Sequence, residues 1–268
     1  SAERNYSFNS VESENPKEFC DEIDADVVHW NKLYDYSYPN KLDRPTLLTY
    51  HGDIHWEFPS LNYGEHPRLR STKECLVDLA KIWQFDSVIF PSFDIMERSR
   101  VRFKNLLPDS HVVYNAPMSH IEQSFDKSKI EKYGVSDKYI FHLSSEGRKK
   151  NIENIRRAFQ RIEHMDVDLV IAGGGWESRD FKNERIRTIG YIPDGDLKYL
   201  YSHAEAFVFP SLHESFGIPP VESLRCGVTP VVSNTYSLPE VTKPDSVLCD
   251  PRDPKDIAEG IREAIRSD

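Results

Sequence analysis

Two glutamates, Glu214 and Glu222, are separated by seven intervening residues. An ionised carboxylate accepts charge-assisted hydrogen bonds, and both a sugar and a ribose present neighbouring hydroxyl groups as donors. The pair could therefore bind one sugar ring and one ribose. The spacing alone carries little weight in a chain with 44 acidic residues, so the surrounding sequence has to decide.

The residues around this pair predict a strand, a loop and a short helix. Residues 206–210 form an apolar run, residues 211–217 read as a loop, and the helix extends over residues 219–226. Prolines in the first turn and Gly227 after the last are typical of helix ends. Open parallel sheets bind ligands where their strands end, and a helix N-terminus offers unpaired N–H groups to a phosphate. A phosphate site beside the two carboxylates follows.

Short apolar runs alternate with helical patterns along the chain, which predicts an α/β fold with parallel sheets covered on both faces. The segment 115–137 lacks a strand pattern, so we place a domain boundary after residue 137, giving domains 1–137 and 138–268. The predicted strands cover residues 26–30, 46–50, 87–90, 111–114, 139–143, 168–172, 206–210 and 229–233.

Charge and cysteine usage narrow the function classes. The chain has 34 Lys and Arg against 44 Asp and Glu, a formal charge of -10, which is the wrong sign for a protein that tracks nucleic acid. The four scattered cysteines indicate free thiols in a reducing compartment. No apolar run reaches the roughly 20 residues that cross a bilayer, and we expect a soluble, cytoplasmic protein.

Residues 209–223, FPSLHESFGIPPVES, resemble the hallmark of the family 4 retaining glycosyltransferases. Further strings occur in the family's order, at residues 190–193, 227–232, 238–241 and 250–254. The resemblance implies the GT-B fold, in which two Rossmann-like parallel-sheet domains face a cleft. Relative to the family, the N-terminal domain is expected to be abbreviated and the C-terminus short.

The resemblance also implies roles for the motif and for the first loop of the C-terminal domain. Glu214 would contact the donor sugar and Glu222 the nucleotide ribose, while the backbone of residues 216–218 (Phe216, Gly217 and Ile218) would face sugar and phosphate. Lys150 matches the family's diphosphate-binding lysine. The family's arginine aligns with Ser145, so the second positive charge is absent there or comes from Arg148 or Lys149.

Two further parts of the chain, one in each predicted domain, complete the expected site. Base contacts are expected around Gly174, Gly175 and Tyr191, through backbone or stacking. His51, at the end of a predicted strand, would face the donor sugar from the N-terminal domain, and we count it with Glu214 and Lys150 as catalytic.

The function implied is transfer of a sugar, with retention at the anomeric carbon, from a UDP- or GDP-linked donor. The acceptor would be a glycan, a lipid-linked molecule or a small molecule, and neither a metal nor a cofactor is expected. The sequence leaves the donor's base and sugar, the acceptor and the oligomeric state open.

Two other functions fit part of the sequence. His51, Asp53 and His55 alternate, so a strand would place them on one face as the start of a hydrolytic metal site. Such a site wants further ligands, for which Asp94, His111 and His120 are candidates. The other alternative is a protein that binds a nucleotide sugar without turning it over.

A local basic stretch stands out in this acidic chain. It consists of Arg98, Arg100, Arg102 and Lys104, and the simplest interpretation is a solvated helix face. With Phe103, Leu106 and Leu107 nearby, the alternative is peripheral contact with an anionic membrane at its inner face.

Overall fold

The computed structural model describes residues 21, 24–31, 42–52, 76–177 and 179–266. These residues form two parallel sheets, one in each half of the chain. The chain between the sheets contains two short 3-10 helices, Lys127–Lys129 and Glu131–Tyr133. The boundary expected after residue 137 falls in this stretch and stays a prediction.

The N-terminal sheet has four described strands in the order β1-β2-β3-β4. Helix α1 (Phe93–Arg102) follows β3, and residues 76–82 are also helical. Apolar side chains such as Leu48, Val88 and Ile95 are fully buried between sheet and helices. The strands are β1 (Val28–Trp30), β2 (Thr46–Thr49), β3 (Ser87–Phe90) and β4 (Asp109–Val112).

The C-terminal sheet has six parallel strands in the order β10-β9-β8-β5-β6-β7. The chain runs outward from β5 through β6 to β7, and then returns to β8 on the other side of β5. The strands are β5 (Tyr139–Leu143), β6 (Asp168–Ala172), β7 (Ile186–Ile189), β8 (Ala206–Phe209), β9 (Pro230–Ser233) and β10 (Val247–Cys249).

Helices cover both faces of this sheet, as expected for buried parallel strands. One face carries α2 (Ile152–Gln160) and α6 (Pro254–Arg266). The other carries α3 (Asp194–Ser202), α4 (Ile218–Arg225) and α5 (Leu238–Thr242). A 3-10 helix, Arg148–Lys150, precedes α2.

The strand order creates a switch point between β5 and β8. Connections leave these two neighbouring strands toward opposite sides, so their carboxyl ends border a crevice where such sheets bind ligands. The loop after β5 contains Lys150 and the loop after β8 contains Glu214. The fold therefore brings together two residues that lie 64 positions apart.

The predicted elements agree with the structure except at sheet edges. All eight predicted strands are present, but the fourth was placed two residues late: β4 is Asp109–Val112, while Val113 and Tyr114 are about half exposed. Strands β7 and β10 were not predicted from the sequence. All three are edge strands whose short or polar sequences lack the continuous apolar run of a central strand.

Candidate functional site

The crevice at the switch point contains a close ion pair. The Nζ atom of Lys150 lies 2.6 Å from Oε1 of Glu214, and the two side chains are only 14% and 12% exposed. Lys150 Nζ also lies 4.9 Å from the ring centroid of Phe209, the last residue of β8. A cation is therefore held by a carboxylate and an aromatic face in a partly desolvated setting, which strengthens both interactions.

Asn151 fixes the position of Lys150. Its backbone is left-handed, with φ 61°, and its buried amide donates to the carbonyls of Pro210 (2.9 Å) and Pro251 (2.6 Å). The N–H of Leu212 donates to the carbonyl of Lys149 at 2.8 Å. These bonds tie the loop after β5 to the loops after β8 and β10.

His142 lies buried beside the ion pair. Its Nδ1 is 2.7 Å from the carbonyl of Val208 and its Nε2 is 2.8 Å from Ser144 Oγ. Because a carbonyl only accepts, Nδ1 carries the proton and Nε2 accepts from Ser144. The pKa of His142 is lowered to about 4, chiefly by burial; the hydrogen bond to Val208 opposes this shift, and the nearby Lys150 charge adds to it. The imidazole is therefore neutral and does not compete with Lys150 for an anion.

The loop after β8, which we call the donor loop (residues 211–217), has its backbone held by side chains. Ser237 Oγ lies 2.9 Å from the carbonyl of Glu214 and 3.0 Å from that of Phe216. Gly217 has φ 100°, and a Cβ there would come within 2.4 Å of Leu238 Cδ2. Only glycine fits this turn.

Helix α4 starts directly after the donor loop, but offers fewer N–H groups than expected. Ile218 is its first residue, and Pro219 and Pro220 follow. Proline has no N–H, so two donors of the first turn are missing. The backbone donors left at this helix start are the N–H groups of Gly217 and Ile218, and their contact with a phosphate stays a prediction.

Glu222 lies deeper than its predicted role suggests. It is 3% exposed, Tyr201 Oη donates to its Oε2 at 3.0 Å, and the backbone of Met118 also hydrogen-bonds to it. Burial raises the pKa of Glu222, while the Tyr201 bond opposes that shift. Contact between Glu222 and a ribose stays a prediction.

The expected base site is an exposed edge beside β6 and β7. Tyr191 is 71% exposed, and Gly174 is also exposed. The N–H of Glu146 donates to the carbonyl of Gly174 at 3.0 Å, which links this loop to the one after β5. The Glu177 carboxylate packs against Gly190, the residue before Tyr191, since a Cβ on Gly190 would lie 2.7 Å from Oε1 of Glu177.

Two other residues predicted to contact the phosphates, Ser145 and Arg148, have no described hydrogen bond to Lys150. Ser145 and Arg148 are both exposed. Whether Arg148 or Lys149 supplies a second charge remains a prediction.

His51 lies at the carboxyl end of the N-terminal sheet. It follows β2, and its Nε2 is 3.1 Å from the carbonyl of Asn31. The adjacent Gly52 packs on Ile95 of α1, where a Cβ would lie 3.2 Å from Ile95 Cδ1. Its role opposite the donor sugar stays a prediction.

The metal-site candidates that the structure describes are not assembled into one site. Asp94 pairs with Arg98, His111 with Asp109, and His120 with the carbonyl of Asp194. Asp53 and His55 lie outside the described residues. Within the described parts of the chain there is no group of three or more His, Cys, Asp or Glu residues that could hold a metal ion.

The interpretation of the basic stretch as a solvated face is wrong for Arg102. This side chain is buried and pairs with buried Asp78 at 2.9 Å, because a guanidinium is tolerated inside when its charge is matched. Arg100 pairs with Glu97, and Arg98 lies 4.3 Å from the ring centroid of Tyr236. Among the described residues, none of the helices combines the length and apolar character needed to span a bilayer.

The structure describes two of the four cysteines that were expected to be free thiols. Cys226 and Cys249 are buried free thiols, and burial raises their pKa to about 11 and about 12. Cys20 and Cys75 lie outside the described residues.

Comparison with known proteins gives one family match and several relatives. The profile of the family described as "Glycosyl transferases group 1" matches residues 123–268, more than half of the chain. O-antigen chain mannosyltransferase B of Escherichia coli is 35% identical over 152 residues, 52% of this chain and 40% of that protein. A GDP-mannose-dependent phosphatidylinositol dimannoside mannosyltransferase of Mycobacterium tuberculosis is 34% identical over 106 residues, 38% of this chain and 28% of that protein. The chain thus spans less than half the length of these relatives.

Solved structures resemble nearly the whole chain. Sucrose-phosphate synthase from Thermosynechococcus elongatus superposes with a TM-score of 0.77 at 18% identity, covering 94% of this chain and 67% of the synthase. HepE from Anabaena, in complex with UDP-glucose, gives a TM-score of 0.65 at 18% identity, covering 84% of this chain and 63% of HepE. These likenesses confirm the expected GT-B fold.

Proposed function

This chain belongs to the glycosyl transferases group 1 family, and from that premise we propose that it transfers a sugar from a nucleotide-diphosphate sugar to an acceptor. The anomeric configuration of the sugar is retained. The observation that carries the proposal is the Lys150–Glu214 pair at the carboxyl ends of β5 and β8.

Each partner of the pair has a task in the proposed reaction. Glu214 accepts hydrogen bonds from the donor sugar's hydroxyl groups, and Lys150 faces the diphosphate. As the bond between the anomeric carbon and the phosphate oxygen breaks, negative charge grows on the diphosphate, and a fixed cation stabilises that charge. The pair keeps both charges compensated until the donor arrives.

The proton balance needs no additional base. The acceptor oxygen forms its bond to the anomeric carbon on the face that the phosphate leaves, and the acceptor's proton passes to the departing phosphate oxygen. Catalysis then consists mainly of positioning and charge stabilisation. Since Lys150 supplies the positive charge, the proposal requires no metal.

We propose GDP-mannose as the donor and a growing glycan as the acceptor. Two relatives are named mannosyltransferases, one of them GDP-mannose-dependent and the other for an O-antigen chain. Two features support guanine: Tyr191 offers an exposed ring for stacking, and Glu177 places a carboxylate beside Gly190, with its Oε2 accepting from the N–H of Gly175 at 3.0 Å. Guanine presents two adjacent donors, N1–H and N2–H, that a carboxylate can accept together, whereas uracil presents one.

A binding and turnover screen tests this proposal. Calorimetry with GDP, UDP and ADP, followed by turnover of the matching sugar donors, separates the alternatives. We expect GDP to bind most tightly and Glu177→Gln to weaken GDP more than UDP, with Glu259→Gln as a surface control. Nucleotide binding without turnover of any donor would favour a silent binding protein, and a stoichiometric metal in the purified protein would favour the hydrolase.

A further inference from the structure

The two halves of the chain meet where α1 begins. Ser92 is fully buried, and its Oγ donates to the carbonyl of Ser215 in the donor loop at 2.9 Å. The same Oγ accepts from the N–H of Ile95 at 3.2 Å, which caps α1. A hydroxyl has one proton and two lone pairs, so the cap leaves its single proton for the donor loop.

Glu240 makes the reciprocal contact from the C-terminal half. Its Oε1 accepts from the N–H of Phe93 at 2.8 Å and its Oε2 from the N–H of Asp94 at 2.9 Å. Tyr114 also hydrogen-bonds to this carboxylate. A carboxylate at a helix N-terminus satisfies unpaired N–H groups and complements the helix dipole. The first turn of α1 therefore depends on α5 in the other half.

Aromatic rings extend this contact to both sides. The ring of Tyr114 lies 6.4 Å from Phe93 and 5.8 Å from Phe216, centroid to centroid. On the other side, Arg98 lies over Tyr236, whose ring is 4.8 Å from His213. The residues of the C-terminal half that take part in this contact thus lie in the donor loop or in residues 236–240.

The donor loop has three successive carbonyls that accept from serine hydroxyls. Ser237, from the same half, shares its one hydroxyl proton between the carbonyls of Glu214 and Phe216, and Ser92, from the opposite half, donates to the carbonyl of Ser215 between them. The loop's side-chain bonding is complete only when the halves are closed on each other.

We propose that Ser92 and Glu240 are positioning residues for sugar transfer. They hold α1 against the donor loop, so that the loop keeps Glu214 aimed at the donor sugar. This role rests on the proposed function. Because Lys150 and Glu222 belong to the C-terminal half, the nucleotide can bind without this contact, whereas transfer requires it.

The test uses the full chain with Ser92→Gly and Glu240→Gln. Glycine is tolerated at a helix N-cap, so Ser92→Gly keeps the cap position and removes the bond to Ser215. Glutamine keeps one acceptor but turns an N–H₂ group toward the second backbone donor. Ser110→Ala is the matched control, since Ser110 Oγ donates at 2.7 Å to the carbonyl of Pro108 in its own half.

Kinetics with nucleotide binding and amide hydrogen exchange test the proposal. We expect both variants to lower kcat by at least about tenfold, as small misplacements do, while nucleotide affinity stays within about threefold. Amide hydrogen exchange over residues 214–217 should accelerate by about tenfold, and that over β5 should be unchanged. Ser110→Ala should alter neither quantity.

Unchanged exchange over residues 214–217 in both variants would overturn the proposal, as would equal losses of kcat and nucleotide affinity. If the unmodified protein turns over no donor, the proposed function fails. The exchange measurement still decides whether Ser92 and Glu240 hold the donor loop.

Discussion

Lys150 Nζ and Glu214 Oε1 lie 2.6 Å apart although they belong to loops that follow different strands. The strand order makes them neighbours, because β5 and β8 pair in parallel and end at the same edge. Each charge is largely removed from water, so each depends on the other until a donor provides new partners. The pair is thus both a structural contact and the centre of the proposed site.

Removing both partners of the Lys150–Glu214 pair should cost less stability than the two single losses added together. Lys150→Met and Glu214→Gln each leave a buried polar group unmatched, which should cost about 1–3 kcal/mol of unfolding free energy. The double variant should lose less than the sum of the two. Denaturant unfolding of all four proteins measures this coupling. Strictly additive losses would show that the pair does not interact in solution.

Acid should destabilise the protein through His142. The pKa of this buried histidine is lowered from 6.5 to about 4, so between these values the unfolded chain binds a proton that the folded chain refuses. Stability then falls as pH decreases, by up to about 3 kcal/mol. In His142→Gln, the unfolding free energy should fall less as the pH decreases. Parallel pH profiles of unfolding free energy for the two proteins would contradict the assignment.

Glu222 should shift stability in the opposite direction. Burial raises the pKa of its carboxyl, so the folded state binds the proton more tightly and stability falls as pH rises from the ordinary glutamate value through the raised one. Glu222→Gln should flatten this decline. It should also weaken nucleotide affinity by about tenfold, the value of a hydrogen bond to a charged group.

The control for Glu222 is Glu259→Gln, on the exposed surface of α6. Calorimetry with a nucleoside diphosphate compares the two. If Glu222→Gln binds the nucleotide as tightly as the control does, the ribose is held elsewhere.

Gly217→Ala should lower the stability of the protein. It forces a side chain into φ 100° and within 2.4 Å of Leu238 Cδ2, and we expect a loss of about 2 kcal/mol or more. Gly195→Ala is the matched change, because a Cβ on Gly195 meets no atom within 4 Å. Melting temperatures should separate the two variants by several degrees. Equal melting temperatures would contradict the account of the turn.

The sequence predicts local features well when one continuous pattern specifies them. The central strand β8 is an uninterrupted apolar run, and the start of α4 is marked by its own prolines. The edge strand β7 (IRTI) contains two polar residues and β10 has only three residues, so neither was predicted. The same holds for the site, because the donor loop was predicted from one continuous sequence motif.

Contacts between distant residues were not predictable. The bond from Ser92 to Ser215 spans 123 positions, and the one from Phe93 to Glu240 spans 147. Neither serine nor glutamate carries a local signal of such a partner. Burial of Arg102 and Glu222 also depends on tertiary neighbours, Asp78 and Tyr201, which a one-dimensional pattern does not identify.

The most direct test of the central claim is the product of the reaction. The full chain is incubated with GDP-mannose and a glycan acceptor, and NMR follows free GDP and the new glycosidic bond. We predict equal amounts of both, with the donor's anomeric configuration in the product, and no transfer by Glu214→Gln despite retained GDP binding. Undiminished transfer by Glu214→Gln, or a product of inverted configuration, would contradict the account.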